Sequence, residues 1–458
     1  MTLEYVDRSH NPRLILIFAG WAMDSTPFRS LAKTGYDIAV ASDYTSFDFD
    51  FGPIMAEYAE ICIVAWSLGV VAADLCYPQL EARATLRIAV NGTVTPVDDR
   101  RGIPPTVFGG TLAGLSEQSL LKFYRRTAGS RKAFEAFQEL MPQRSLQSVT
   151  EELATFYPPR DYGAARCPWD LAIISRNDAI FPPENMLRAW EGKPVEFIDE
   201  AHLPDFGKIL ERHVVNKQLV GSRFGKRRDS YESGASVQAE IVERLEKKMS
   251  GLGIDALIAD TDSSVLEIGC GTGLLSRRLD RLAGGDVTMW DIVGESPVAG
   301  ARRYFRRCDA ETAIGTEAPA SFDLIISAST VQWFNSPLHF LERAAEAVKP
   351  GGFIVLSTFS PGNLAEVEQC TGRALPLLSA DGWRASAPAS LETIAVETYD
   401  YPVRFDSPID VFRHLSRTGV NSLGSDVNLR TAMRNYPASN DGSATVTYRP
   451  LILVFRKK

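Results

Sequence analysis

Two strand–turn–helix sequences, about two hundred residues apart, constrain this chain more than anything else in it. The first is Ile63-Val64-Ala65-Trp66-Ser67-Leu68-Gly69. The second is Val265-Leu266-Glu267-Ile268-Gly269-Cys270-Gly271-Thr272-Gly273. Each places small residues at a sharp turn directly after an apolar run, and each belongs to its own alternation of short apolar runs and helical patterns. Such alternation implies a mostly parallel sheet with helices over both faces. The expected class is therefore α/β in both halves.

The strand-like runs of the first half are Leu14–Ala19, Ile61–Ala65, Leu86–Val90, Leu171–Ser175 and Val195–Ile198. They stop between Pro104 and Pro159, where aromatic-rich helical patterns take over, so a helical cap over about 104–160 is expected. The second alternation runs from Val265 through Val287–Trp290, Leu324–Ser327 and Phe353–Thr358 to a last strand, Val446–Phe455. Ahead of it, Val237, Ile241, Val242, Leu245 and Met249 repeat at helical spacing. The boundary is expected near Gly221–Lys226, giving domains 1–220 and 221–458, and 458 residues suffice for two such domains.

A formal charge of −8 argues against nucleic acid as the main partner. No apolar run approaches the roughly 20 residues of a membrane helix, and Met1–Tyr5 lacks a secretory pattern. The six cysteines are scattered without a CxxC pair, so no metal site is expected and a reduced, cytoplasmic setting is.

A serine hydroxyl becomes a nucleophile only when a base takes its proton and donors receive the oxyanion. The turn around Ser67 has the form of a nucleophile elbow, with Gly69 as one small flank and Ala65 in place of the usual first glycine. In that arrangement the acid and the histidine follow the serine in sequence. Five histidines exist: His10, His202, His213, His339 and His414. Only His202 and His213 follow Ser67 in the first half. His202 stands in a loop directly after a strand, whereas His213 falls in a helical pattern, so His202 is the expected base. Asp178, in the loop after Leu171–Ser175, is the expected acid, with Asp199 as its rival. The oxyanion donors are expected at the backbone of Leu68 and of Trp21, whose ring would wall the acyl pocket. These features specify an α/β-hydrolase fold.

The spacing G-x-G-x-G after Glu267 differs from that of dinucleotide sites. It resembles motif I of class I, Rossmann-like methyltransferases that use S-adenosylmethionine. The resemblance implies cofactor contacts at Glu267, Gly269, Gly271 and Gly273. Asp291, ending the second strand, suits the ribose hydroxyls, and Asp309-Ala310 after the third strand suits the adenine. No Asn/Asp-Pro-Pro-Tyr tetrad follows Leu324–Ser327, so amine methylation of nucleic acid is not indicated. No general base is evident either. A carboxylate acceptor is already ionised near neutral pH and needs none.

From about Phe224 to Phe455 the chain resembles the malonyl-ACP O-methyltransferase (BioC) of the biotin pathway, where ACP is acyl carrier protein. The resemblance rests on Tyr231–Gln238, Ser329–Phe334, Thr358–Leu364 and Arg417–Asn421. It implies that Tyr231 and Gln238 close the cofactor site and that Trp333 lies near it. Glu232 stands where Asp is usual. From Arg13 to about Leu219 the chain is similar to the pimeloyl-ACP methyl ester esterase of the BioG type, on Ile17–Asp24, Ala65–Gly69 and Asn177–Asn185. Together the resemblances imply an enzyme that methylates malonyl-ACP or malonyl-CoA and later removes the methyl group from pimeloyl-ACP. Lys122, Arg125, Arg126, Arg131, Lys132 and Arg144 form a basic stretch of the cap, with Arg125 and Arg126 as candidates to bind the acidic carrier. Arg417 is one of several candidates to hold the malonyl carboxylate. Two other readings stay open. One is a small-molecule O-methyltransferase fused to an unrelated carboxylesterase; the other is a methyltransferase whose hydrolase-like half is a non-catalytic carrier scaffold.

Overall fold

Aliphatic runs without polar interruption can be strands only where a sheet is covered on both faces, and the first half builds such a sheet. The computed structural model describes the chain apart from Arg373, residues 418–427, Asn440 and the side chains of residues 227–234. It contains two compact units, Met1–Asn216 and Lys217–Lys458.

The first unit holds β1 (Thr2–Asp7), β2 (Arg13–Phe18), β3 (Asp37–Ser42), β4 (Glu60–Trp66), β5 (Ala84–Val90), β6 (Leu171–Ser175) and β7 (Val195–Ile198). Their order across the sheet is β1-β3-β2-β4-β5-β6-β7, parallel except for β1. Leu14 to Phe18 of β2 and all of β4 are buried, as central strands between two helical layers must be. Between β5 and β6 stand four helices, Pro105–Ala113, Glu117–Ala128, Arg131–Gln138 and Leu146–Thr155. The last three start at Ser116, Ser130 and Ser145, whose hydroxyls each accept a hydrogen bond from a backbone N–H of the first turn.

The second unit holds β8 (Ser264–Ile268), β9 (Asp286–Asp291), β10 (Arg303–Arg307), β11 (Phe322–Ala328), β12 (Val348–Phe359), β13 (Leu391–Thr398), β14 (Tyr401–Phe405), β15 (Ala444–Tyr448) and β16 (Pro450–Lys457). The main sheet runs β10-β9-β8-β11-β12-β16-β13, with β16 antiparallel to both its neighbours. The chain leaves β8 in one direction and returns to β11 on its other side. That reversal opens a crevice at the carboxyl ends of β8 and β11, where ligands of open α/β sheets bind.

One expectation needs correction. Val446–Phe455 is not one strand: β15 pairs with β14 in a separate ribbon, and β16 enters the main sheet. The break falls at Arg449, whose N–H donates to Asn363 Oδ1 and whose carbonyl accepts from Ser360 N–H, while Pro450 has no N–H to give. The stretch expected to hold the boundary, Gly221–Lys226, lies inside one helix, Lys217–Gly234. The N-terminal strands β1 and β3 went unread: polar residues interrupt β1, and β3, bounded by Asp37 and Ser42, has only Ile38 and Val40 as large apolar residues.

Candidate functional site

Ser67 follows β4 directly and opens onto the helix Gly69–Leu80. Its φ is 58°, a left-handed conformation that a serine adopts only under restraint. The restraint is local crowding: a Cβ on Gly69 would collide with the Phe18 and Ala19 carbonyls, and one on Gly92 with the Ser67 carbonyl. Glycine at both places lets the elbow sit between β2 and β5.

His202 Nε2 lies 3.0 Å from Ser67 Oγ, and its Nδ1 lies 2.7 Å from Asp178 Oδ2. The other carboxylate oxygen of Asp178 accepts the Ile180 and Phe181 N–H groups at 2.7 and 2.9 Å. All three residues are buried. The Phe181 ring stacks on the imidazole at 6.1 Å, 10° from parallel. The histidine loop is tied down by its own carbonyl, which accepts from Trp66 Nε1 at 2.8 Å and Asn91 Nδ2 at 2.9 Å. Asn91 also spans to Ser175 at the end of β6, donating to its hydroxyl at 2.8 Å and accepting its N–H at 2.7 Å. Sequence reasoning missed Asn91; the signal was an Asn-Gly pair at a strand end, where a positive φ (47°) is cheap.

The rivals stand elsewhere. Asp199 is exposed and pairs with Arg176 at 3.3 Å. His213 is buried beside Glu196, at 3.4 Å, and burial pushes it down to about 4. Trp21 and Leu68 both line the cleft above Ser67, with Ile103, Val107, Phe108, Phe123, Leu153 and Ile180 as apolar walls and Arg126 as its one charged residue. The cleft spans about 450 Å³, its open mouth included. Among the described residues, neither the Leu68 nor the Trp21 backbone N–H donates to a protein acceptor. The indole N–H of Trp21 donates to the Val149 carbonyl at 2.7 Å.

Arg125 and Arg126 are exposed on the helix Glu117–Ala128, Arg125 lying over the Phe134 ring at 5.3 Å. The basic stretch is narrower than expected. The Arg144 side chain is largely withdrawn from solvent and pairs with buried Glu152 at 2.5 Å and half-buried Asp43 at 3.0 Å.

In the second unit Gly269, Gly271 and Gly273 have φ of 72°, 52° and 95°, so the turn after β8 is one that glycine alone adopts freely. A Cβ on Gly269 would collide with Thr330, which sits in the loop after β11; a Cβ on Gly271 would meet nothing within 4 Å. Asp291, ending β9, accepts the Gly271 N–H at 2.8 Å and the Val293 N–H at 2.9 Å. Asp309 caps the helix Ala310–Ala313 through Glu311 N–H at 3.1 Å and pairs with Lys217 at 2.9 Å. Lys217 also reaches Glu311 at 2.6 Å, a buried ion group with no sequence signal. Glu267 is buried, and burial drives it up to about 8, with the Ser276 hydroxyl opposing and the Asp291 charge reinforcing the shift.

Several buried polar atoms lack partners among the described residues: Glu267 Oε2 and Thr272 Oγ1 at this turn, Ser329 Oγ and Gln332 Oε1 beside Thr330 in the loop after β11, and also Gln238 Oε1 and Trp333 Nε1. Buried polar groups are rarely left unpaired, so the crevice fits a polar ligand that supplies the missing bonds. The Trp333 ring lies 6.1 Å from that of Phe224. The Tyr231 side chain and residues 418–421 lie outside the described residues, while Arg417 ends the helix Pro408–Arg417 and is exposed. Among the described residues no group of His, Cys, Asp and Glu has the makings of a metal site, and no helix is long and apolar enough to cross a membrane.

The two units thus define an α/β-hydrolase-type fold bearing a Ser–His–Asp arrangement and a Rossmann-like methyltransferase fold. A family model described as pimeloyl-ACP methyl esterase BioG matches residues 1–209, and one for a methyltransferase domain matches residues 239–395. The malonyl-[acyl-carrier protein] O-methyltransferase of Bacteroides fragilis is 34% identical over 97% of this chain and 93% of its own length. That of Porphyromonas gingivalis is 32% identical over 54% of this chain and 98% of its own. The solved structure of BioG from Haemophilus influenzae is 33% identical and covers 44% of this chain and 94% of that one, with a TM-score of 0.40. The chain belongs to the malonyl-[acyl-carrier protein] O-methyltransferase family, with a BioG region ahead of its methyltransferase domain.

Proposed function

We propose that this chain both installs and removes one methyl ester. The C-terminal unit methylates the free carboxylate of malonyl-ACP with S-adenosylmethionine, and the N-terminal unit hydrolyses the methyl ester of pimeloyl-ACP. The observation that carries the reading is the hydrogen-bonded chain from Ser67 through His202 to Asp178 at the floor of an apolar cleft, in a protein whose relatives are named for malonyl-ACP methylation.

In the hydrolytic half, Ser67 Oγ attacks the ester carbonyl while His202 Nε2 takes its proton. The oxyanion is received by the Leu68 and Trp21 N–H groups. His202 then returns the proton to the departing methanol. Water, deprotonated by the same imidazole, releases the acyl chain as a free carboxylate. Asp178 holds the tautomer and stabilises the imidazolium.

In the other half S-adenosylmethionine supplies an electrophilic methyl group. The Gly269–Gly273 turn, whose glycines let the backbone approach a ligand closely, would hold it together with Gln238, Glu267, Asp291, Asp309 and Ala310, and the family resemblance assigns Tyr231 to closing the site. Trp333 and its loop border the acceptor. The malonyl carboxylate is already ionised, so this chain's task is to desolvate and align it.

The methyl cap has a chemical purpose: it removes a charge that an apolar elongation site could not bury without large cost. Arg126, at the cleft wall, and Arg125 beside it are assigned to the acidic carrier. Reversing both charges should weaken turnover of carrier-bound ester at low salt; unchanged turnover would remove them from that role. The test of the hydrolytic half is labelling by a fluorophosphonate. Label should attach to the wild type and be lost in Ser67→Ala with cofactor binding intact. A wild type that takes no label would leave only the scaffold reading.

A further inference from the structure

The turn that carries Trp21 is held from the cap rather than from the sheet. Gly20 runs so close to the nucleophile that a Cβ there would lie 3.1 Å from Ser67 Cβ. Two residues on, Ala22 has φ 65°, a conformation alanine does not hold without restraint. Both of its backbone groups are spent on cap side chains. Its N–H donates to Glu152 Oε2 at 3.2 Å, and its carbonyl accepts from the Tyr124 hydroxyl at 3.0 Å.

Glu152 is fully buried. Its other oxygen accepts the Tyr44 N–H at 3.0 Å, from the loop after β3, and Arg144 neutralises it at 2.5 Å. A buried carboxylate is costly to keep, and here each oxygen takes one N–H from one of the two loops beneath the cap. Glu152 engages the Ala22 N–H, while the neighbouring Trp21 N–H, on a residue that lines the cleft with Ser67, donates to no protein acceptor among the described residues.

We propose that Glu152 is a positioning residue for the oxyanion turn: its carboxylate, anchored by Arg144, holds Ala22 in its left-handed conformation and thereby aims the Trp21 N–H. The cap then sets the turnover rate as well as covering the acyl chain. This rests on the esterase reading of the N-terminal unit.

The test compares wild type, Glu152→Gln and Tyr124→Phe in the full chain, with the methyl ester of pimeloyl-ACP as substrate and a trifluoromethyl ketone of similar chain length as oxyanion-forming inhibitor. Rates are divided by the fraction of sites titrated with fluorophosphonate. Glu152→Gln should lower kcat about 10- to 100-fold, less than outright loss of a donor, with KM within about twofold. Inhibitor affinity should fall by the same factor. Tyr124→Phe, which deletes one hydroxyl and keeps the fold if Glu152→Gln does not, should change kcat and inhibitor affinity in the same direction by a smaller factor. Unchanged kcat per titrated site with lowered thermal stability, or raised KM at constant kcat, would overturn the proposal. A wild type that neither hydrolyses the ester nor takes the label would instead overturn the esterase reading.

Discussion

Replacing Asp178 by asparagine should silence the esterase while leaving the geometry in place. Asp178 uses both oxygens: Oδ1 receives the Ile180 and Phe181 N–H groups at 2.7 and 2.9 Å, and Oδ2 faces His202 Nδ1 at 2.7 Å. In Asp178→Asn the amide oxygen must take the Oδ1 place, since an NH₂ group there would confront two donors. The amide nitrogen is then turned toward His202 Nδ1, which has to accept. The imidazole proton moves to Nε2, facing Ser67 Oγ across 3.0 Å. Serine meets a donor and cannot surrender its proton. A wrong tautomer of this kind lowers kcat about 10⁴-fold in a triad enzyme, or about 5.5 kcal/mol at 1.36 kcal/mol per decade. The assay is methanol release from pimeloyl methyl ester on its carrier, with methyl transfer to malonyl-ACP as an internal control. KM and methyl transfer should be unchanged. A kcat loss below tenfold would refute the argument that this carboxylate fixes the tautomer.

The apolar cleft should also discriminate by acyl length. Pimeloyl has four more methylenes than malonyl, and at about 0.8 kcal/mol each their burial is worth about 3 kcal/mol, or roughly 200-fold in kcat/KM; equal hydrolysis of the two methyl esters would contradict it. Gly269→Ala should abolish binding of S-adenosylmethionine, measured by calorimetry, because its Cβ meets Thr330 at a φ of 72°, with esterase activity unaffected. Glu267 is ionised with difficulty in the folded chain, so its folded pKa of about 8 lies above the ordinary 4.5. The sign follows: its cost to stability is absent below pH 4.5, grows as pH rises and is complete above about 8. Glu267→Gln should therefore raise the unfolding temperature of the ligand-free protein at pH 9 and leave it unchanged at pH 4.

The parts of the site that sequence made legible are those where chemistry forces residue type. An elbow demands small flanks, so Ala65-Trp66-Ser67-Leu68-Gly69 announces itself, and with few histidines His202 was found by its place after a strand. The glycines at 269, 271 and 273 were legible for the same reason, since the turn uses conformations other residues avoid. What stayed hidden depends on contacts between distant segments. Glu152 reads as one more helical glutamate until the structure brings it beneath Ala22 and Tyr44, 130 and 108 residues away in sequence. Arg144 looked like surface charge for want of its partners. Arg449 divides two strands through a bond to Asn363, 86 residues away, that no local period encodes.

The most direct measurement assays both half-reactions on one purified chain: methyl transfer from S-adenosylmethionine to malonyl-ACP, and methanol release from pimeloyl-ACP methyl ester. Ser67→Ala should lose only the second. Gly271→Arg, which pushes a long side chain into the open space beside the turn, should lose only the first. If the wild type lacks either activity, or if Ser67→Ala still hydrolyses the ester, the two-enzyme account is wrong.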